Sequence, residues 1–122
     1  MRIEPDIIRD LLLFCEKHSS YHDPIILTEE SVLGSPLGYL DFDVVLYHAR
    51  QCGDAGFIEI TSEESSLIII DDLTYKGHDF LSNIRSDEVW NKTKEKTKVL
   101  PSVALDIISA VASEIVIKLI GL

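Results

Sequence analysis

Residues 73–90, L-T-Y-K-G-H-D-F-L-S-N-I-R-S-D-E-V-W, constrain this chain more than any other stretch. A strand-like run feeds directly into them, and they convert it into a long helix. Thr74 stands where an N-cap belongs, with a hydroxyl able to accept from the orphan amides of a first helical turn. Phe80, Leu81, Ile84, Val89 and Trp90 recur near helical spacing, so one face of the segment must be buried. Gly77 lies close to the helix start, where it weakens the helix unless another element passes too near for a side chain. Two short strand candidates precede the stretch, and everything after it reads helical.

The rest of the chain falls into order around that segment. Pro5 and Asp6 open a first helix with Ile8, Leu11, Leu12 and Cys15 on its buried stripe. Residues 24–27 form a short apolar strand. Residues 28–39 contain Gly34, Pro36 and Gly38 and read as a loop, with at most one turn after Thr28. Asp41 or Asp43 caps a second clear helix that runs to Asp54. Val45, His48, Ala49 and Cys52 share its inner face, and Gly56 stops it. Residues 57–60 and 67–70 are β-branched strands around a polar connector, 61–66. Asp87 caps a further segment to Lys98, and after Leu100 and Pro101 Ser102 caps a last helix. The expected class is α+β: a winged helix-turn-helix-like domain over residues 1–98, with its second helix reduced to a loop and a β-hairpin wing. An apolar C-terminal helical extension, residues 99–122, belongs to the same unit.

Two motifs in this order carry a resemblance. Y-H-x4-G-D-A-G-F-I spans residues 47–58, and L-T-x2-G-H-D-F-L-x2-I-R-x-D-x2-W spans residues 73–90. Together they resemble a family of small bacterial and prophage proteins catalogued as a domain of unknown function. The resemblance covers roughly residues 5–120. It implies a winged-helix-like fold with a helical tail, and a motif core that includes His48, Gly77, His78, Phe80 and Trp90. The chain departs from the pattern at Gln51, where a core leucine is usual, and in its long loop at 29–39.

Charge separates the function classes. The formal net charge is −10. Residues 1–40 carry −4, residues 41–72 carry −7 with Arg50 as their only cation, residues 73–101 carry +2, and the tail carries −1. On a winged helix, the helix bearing Asp43, Tyr47 and Arg50 would be the recognition helix and residues 61–66 the wing tip. Affinity for DNA comes chiefly from cations that neutralise phosphates, and this face is acidic. Nucleic acid is therefore a disfavoured partner, and a DNA-binding regulator is the second reading. Lys92, Lys94, Lys96 and Lys98 form a basic cluster that points around a helix and is broken by Glu95, as a solvated face does.

Metal and catalytic chemistry find little support. Cys15, His18 and His22 have spacing for a metal but supply three ligands where a structural zinc site takes four. His48 and His78 lack an oriented nucleophile or carboxylate, so they read as core histidines bonded to backbone. No cofactor is expected, and the protein is expected to be non-enzymatic. Cys15 and Cys52 lie in apolar patterns, as buried thiols of a reducing cytoplasm do, and no basic-then-apolar leader opens the chain. The tail is apolar nearly all round. Ile107, Val111, Ile115 and Leu119 are the expected oligomer interface, because a chain of 122 residues has little material to wrap such a helix. Asp106, Glu114 and Lys118 argue against a membrane span. The expected function is a cytoplasmic binding module that self-associates and acts through an unidentified protein partner.

Overall fold

A computed structural model of the protein describes residues 1–121; Leu122, the end of the sequence-assigned tail, lies outside the described residues. The elements in chain order are α1 (Pro5–His18), β1 (Ile25–Thr28), α2 (Glu29–Leu33), α3 (Phe42–Asp54), β2 (Ile58–Glu63), β3 (Leu67–Leu73), α4 (Tyr75–Ile84), α5 (Asp87–Thr97) and α6 (Leu105–Leu119). The class is mixed α+β with one antiparallel sheet among the described residues, in the order β1-β3-β2.

Two compact units are present, residues 1–77 and 78–122. The sequence division after residue 98 separates α5 from α6, which pack on each other in the second unit. In the first unit α1 packs on α3. α1 starts at Pro5 in its first turn, carries Asp6 there and ends with Lys17 and His18, so its charges complement the helix dipole. Its buried stripe is Ile7, Ile8, Leu11, Leu12, Phe14 and Cys15. The sheet alternates as a half-buried sheet should: Ile25 and Leu27 of β1 and Ile68 and Ile70 of β3 are buried, while Ile26 is exposed. β1 pairs Ile25 with Ile70 and Leu27 with Ile68. β2 pairs with β3 through two register shifts around Ile60, and such bulges bend and twist a hairpin.

Three local expectations are corrected. Residues after Thr28 form a five-residue helix, α2, where a loop with at most one turn was expected. Thr28 Oγ1 accepts from Ser31 N at 3.2 Å, and Ser31 Oγ accepts from Thr28 N at 2.9 Å. This capping box uses serine in place of the usual Glu or Gln. Only Val32 of α2 is buried, so no apolar period announces it. The helix from residue 74 and the further segment expected from Asp87 are α4 and α5, but the cap of α5 is Ser86, whose Oγ accepts from Val89 N at 3.4 Å, not Asp87. α6 starts after Ala104 with no side-chain cap, so Ser102 stays outside it.

The start of α4 bears out its capping residue and its glycine. Thr74 Oγ1 accepts from Gly77 N at 3.0 Å, and Thr74 N donates to Phe57 O at 3.0 Å. A Cβ at Gly77 would lie 2.0 Å from that same Phe57 oxygen. The close passage of backbone is what the glycine is for. Gly77→Ala should therefore cost about 2–3 kcal/mol or more. At Gly34 a Cβ would meet nothing within 4 Å, so Gly34→Ala should stay within about 0.5 kcal/mol of the parent. Urea denaturation followed by circular dichroism checks both; equal stabilities for the two variants would refute the contact.

Candidate functional site

α3, the β2–β3 hairpin and Met1 line an open cleft of about 290 Å³. Asp43 lies in the first turn of α3, Tyr47 and Arg50 follow at one-turn spacing, and Glu63 and Glu64 stand at the hairpin end. Leu46 and Ile68 contribute apolar lining. Helical spacing explains the shared side: positions 43, 46, 47 and 50 recur three and four apart, while Val45, His48, Ala49 and Cys52 face the core. Arg50 does not stand alone. Its Nε donates to Glu63 Oε1 at 2.7 Å across the cleft. That hydrogen bond, and next the carboxylate's charge, hold the guanidinium pKa above its ordinary value. Glu63 escaped sequence reasoning because the partnership depends on how the hairpin folds back on α3. An alternating β2 pattern that leaves Glu63 outward is the one signal for it.

The motif residues take separate places. His48 is buried, and both ring nitrogens are engaged by backbone: Nε2 accepts from Glu4 N at 2.9 Å, and Nδ1 lies 2.7 Å from Val44 O. The ring is thus a neutral Nδ1–H tautomer tying α3 to the start of α1. Tyr47 meets its edge, with ring centroids 5.2 Å apart. Gly77 is the close-approach glycine described above. His78 is exposed and so is not the core histidine expected, whereas Phe80 and Trp90 are buried. No group of three or more His, Cys, Asp or Glu side chains among the described residues has metal-site geometry. Cys15 is buried, whereas His18 and His22 are exposed.

α6 presents two surfaces. Leu105, Ile108, Ala112 and Ile115 are buried, at helical spacing on one side. Ile115, at 4% exposure, is thus covered within the chain, Val111 is half-buried, and Ile107 and Leu119 are 53% and 47% exposed. Ile117 and Ile120 are exposed as well, at 44% and 65%. The apolar composition of the tail does not by itself separate these from the covered positions; the repeat 105, 108, 112, 115 marks the inner side and leaves 107, 111 and 117 outward. Glu114 and Lys118 pair on that outward side at 3.1 Å. Among the described residues no helix is long and apolar enough to cross a membrane.

The basic cluster is largely engaged by local partners. Lys92 pairs with Glu88 at 3.2 Å, Lys98 pairs with Glu95 at 2.7 Å, and Lys94 Nζ lies 5.7 Å from the Trp90 ring centroid. Charge also divides by unit. Residues 1–77 hold five basic and fifteen acidic side chains, and residues 78–122 hold six of each. The whole formal charge of −10 therefore belongs to the first unit.

These features describe a small α+β protein with an acidic cleft in one unit and an uncovered apolar helix face in the other. The family model described as "Hypothetical protein (DUF2513)" matches residues 2–104, and the chain belongs to that family. An uncharacterized protein of Haemophilus influenzae (strain ATCC 51907 / DSM 11121 / KW20 / Rd) is 34% identical over 123 residues, covering 95% of this chain and 96% of the relative. No solved structure matches.

Cys15 and Cys52 are free and fully buried. Burial, and secondarily the charge of Asp72, pushes the Cys15 thiol up from 9.0 to about 12. Burial beside Cys15 pushes Cys52 up as well. A raised folded-state pKa leaves stability intact below the unfolded thiol value and removes it above, because the unfolded chain releases its protons first. Stability should therefore fall progressively from pH 9.0 towards about 12, and replacing both cysteines with alanine should flatten that slope. A chromogenic disulfide reagent at mildly alkaline pH should label neither thiol in the native protein and both in denaturant. Rapid labelling of the native protein would refute the buried placement.

Proposed function

We propose that this protein is a non-enzymatic binding module that associates with a second copy of itself and acts through protein contacts. The outward face of α6 carries the reading. Ile107, Val111 and Ile117 line it, and Ile120 follows at the helix end, while Leu119 continues the inner repeat and is exposed where that repeat runs out. Covering half-exposed isoleucine side chains contributes about 1 kcal/mol each, and several are needed to offset the cost of association. The second unit is formally neutral, so two copies meet there without the repulsion that opposes contact between the acidic first units. Both nitrogens of His48 are committed to backbone, which supports a structural role for the motif histidine. Two buried free thiols suit a reducing cytoplasm.

We further read residues 1–77 as a winged helix. The order α1-β1-α2-α3-β2-β3, with β3 central in the sheet and the hairpin directly after α3, supports it. That connectivity also favours the second reading, a DNA-binding regulator with α3 as recognition helix. Charge opposes it, since Arg50, the one cation between residues 41 and 72, is paired with Glu63.

Light scattering at micromolar concentration should show an oligomer for the parent. Ile107→Asp/Ile117→Asp should be a folded monomer, because each aspartate would be buried unpaired at the contact. A parent mass of 13.7 kDa would remove self-association. In gel shifts, duplex DNA should bind no better than about 10⁻⁴ M at physiological salt, the weak non-specific range. Sequence-specific binding below micromolar would make the protein the regulator instead.

A further inference from the structure

We infer that the cleft between α3 and the β2–β3 hairpin docks a cationic segment of a partner protein, a lysine or arginine flanked by apolar residues. The inference deepens the protein-contact reading above and rests on it; it does not depend on α6.

Shape and chemistry point the same way. The cleft is open, holds about 290 Å³, and has apolar lining from Leu46 and Ile68 with the half-buried Tyr47 beside them. That space is at the lower edge of the roughly 300–1,000 Å³ that encloses a small molecule, and it suits side chains presented by another protein. Asp43, Glu63 and Glu64 are among the residues that line it.

The Arg50–Glu63 pair supplies the third argument. It is joined through Nε and Oε1 alone, at 2.7 Å, with no bidentate fork. The Arg50 side chain is 60% exposed and the Glu63 side chain 35%, and a single-contact pair open to solvent on the arginine side contributes little to stability. An incoming guanidinium or ammonium can therefore share or take the Glu63 carboxylate at small cost. Fifteen acidic against five basic side chains in residues 1–77 attract such a segment from a distance and repel phosphate backbones.

The test uses the full ¹⁵N-labelled chain and a short capped peptide of lysine and leucine. Amide shifts in a titration should concentrate on Asp43, Tyr47, Arg50 and Glu63. A glutamate–leucine peptide and a duplex oligonucleotide should leave those signals unmoved. Glu63→Gln/Glu64→Gln should weaken the peptide by roughly fivefold to tenfold, the loss of two ion pairs. Glu29→Gln/Glu30→Gln removes the same charge from α2 and should bind as the parent does. Equal weakening by both variants, shifts scattered over every acidic surface, absence of binding at millimolar peptide, or duplex DNA on the same residues would each overturn the inference. Light scattering on the same samples separates it from the reading it rests on. An oligomer with an empty cleft sinks the cleft alone, a monomer that takes the peptide sinks self-association alone, and tight DNA binding sinks both.

Discussion

The carbonyl oxygen of Phe57 occupies the place where a Cβ at position 77 would have to be, 2.0 Å away. The same oxygen accepts the Thr74 amide at 3.0 Å, and the Thr74 hydroxyl donates to the carbonyl of Gly56. Lys76 Nζ lies 5.4 Å from the Phe57 ring centroid. One short piece of backbone thus joins the end of α3, the entry to the hairpin and the start of α4. Gly56 can make this corner because its φ is +83°, a left-handed value that L side chains rarely adopt. The angle at which the hairpin leaves α3 follows from this joint, and the cleft is the space that the angle leaves open.

His48 fixes the other side of the same helix. By accepting the Glu4 amide and donating to Val44 it orients α3 against the start of α1, with Val45, Ala49 and Cys52 facing inward. Helical geometry then leaves Asp43, Tyr47 and Arg50 no choice but the outer side. Core packing and surface chemistry are therefore one constraint seen from two faces. The histidine in the Tyr47-His48 motif stabilises the scaffold, and its neighbours carry the exposed chemistry.

Legibility followed how local each signal was. α3, its Gly56 stop and the two hairpin strands could be read because their cues lie within a few residues. The role of Gly77 was readable as a requirement, since a helix tolerates glycine there only where something passes close; that the passing group is Phe57 O could not be read. α2 was missed because its capping box uses Ser31 and a single buried Val32. The start of a further helix near Asp87 could be read from its capping side chains, though Ser86 rather than Asp87 supplies the cap. The Arg50–Glu63 bond depends on residues 13 apart on different elements, and no local pattern encodes it. In the tail, an apolar composition around the whole helix concealed which side was already covered: Ile115 faces inward and Ile117 outward.

The separation of charge from apolar surface ties these features together. A protein that carried its net charge on the helix it used for self-association would meet repulsion at every contact between copies. Here residues 78–122 balance six cations against six anions, so the α6 face can be covered by an identical face at no electrostatic penalty from its own unit. Lys118 reinforces this by pairing with Glu114 on the outward side, which also holds the Glu114 pKa below its ordinary value. The excess of acids in residues 1–77 is then free to act at a range of about a Debye length, roughly 8 Å at physiological salt.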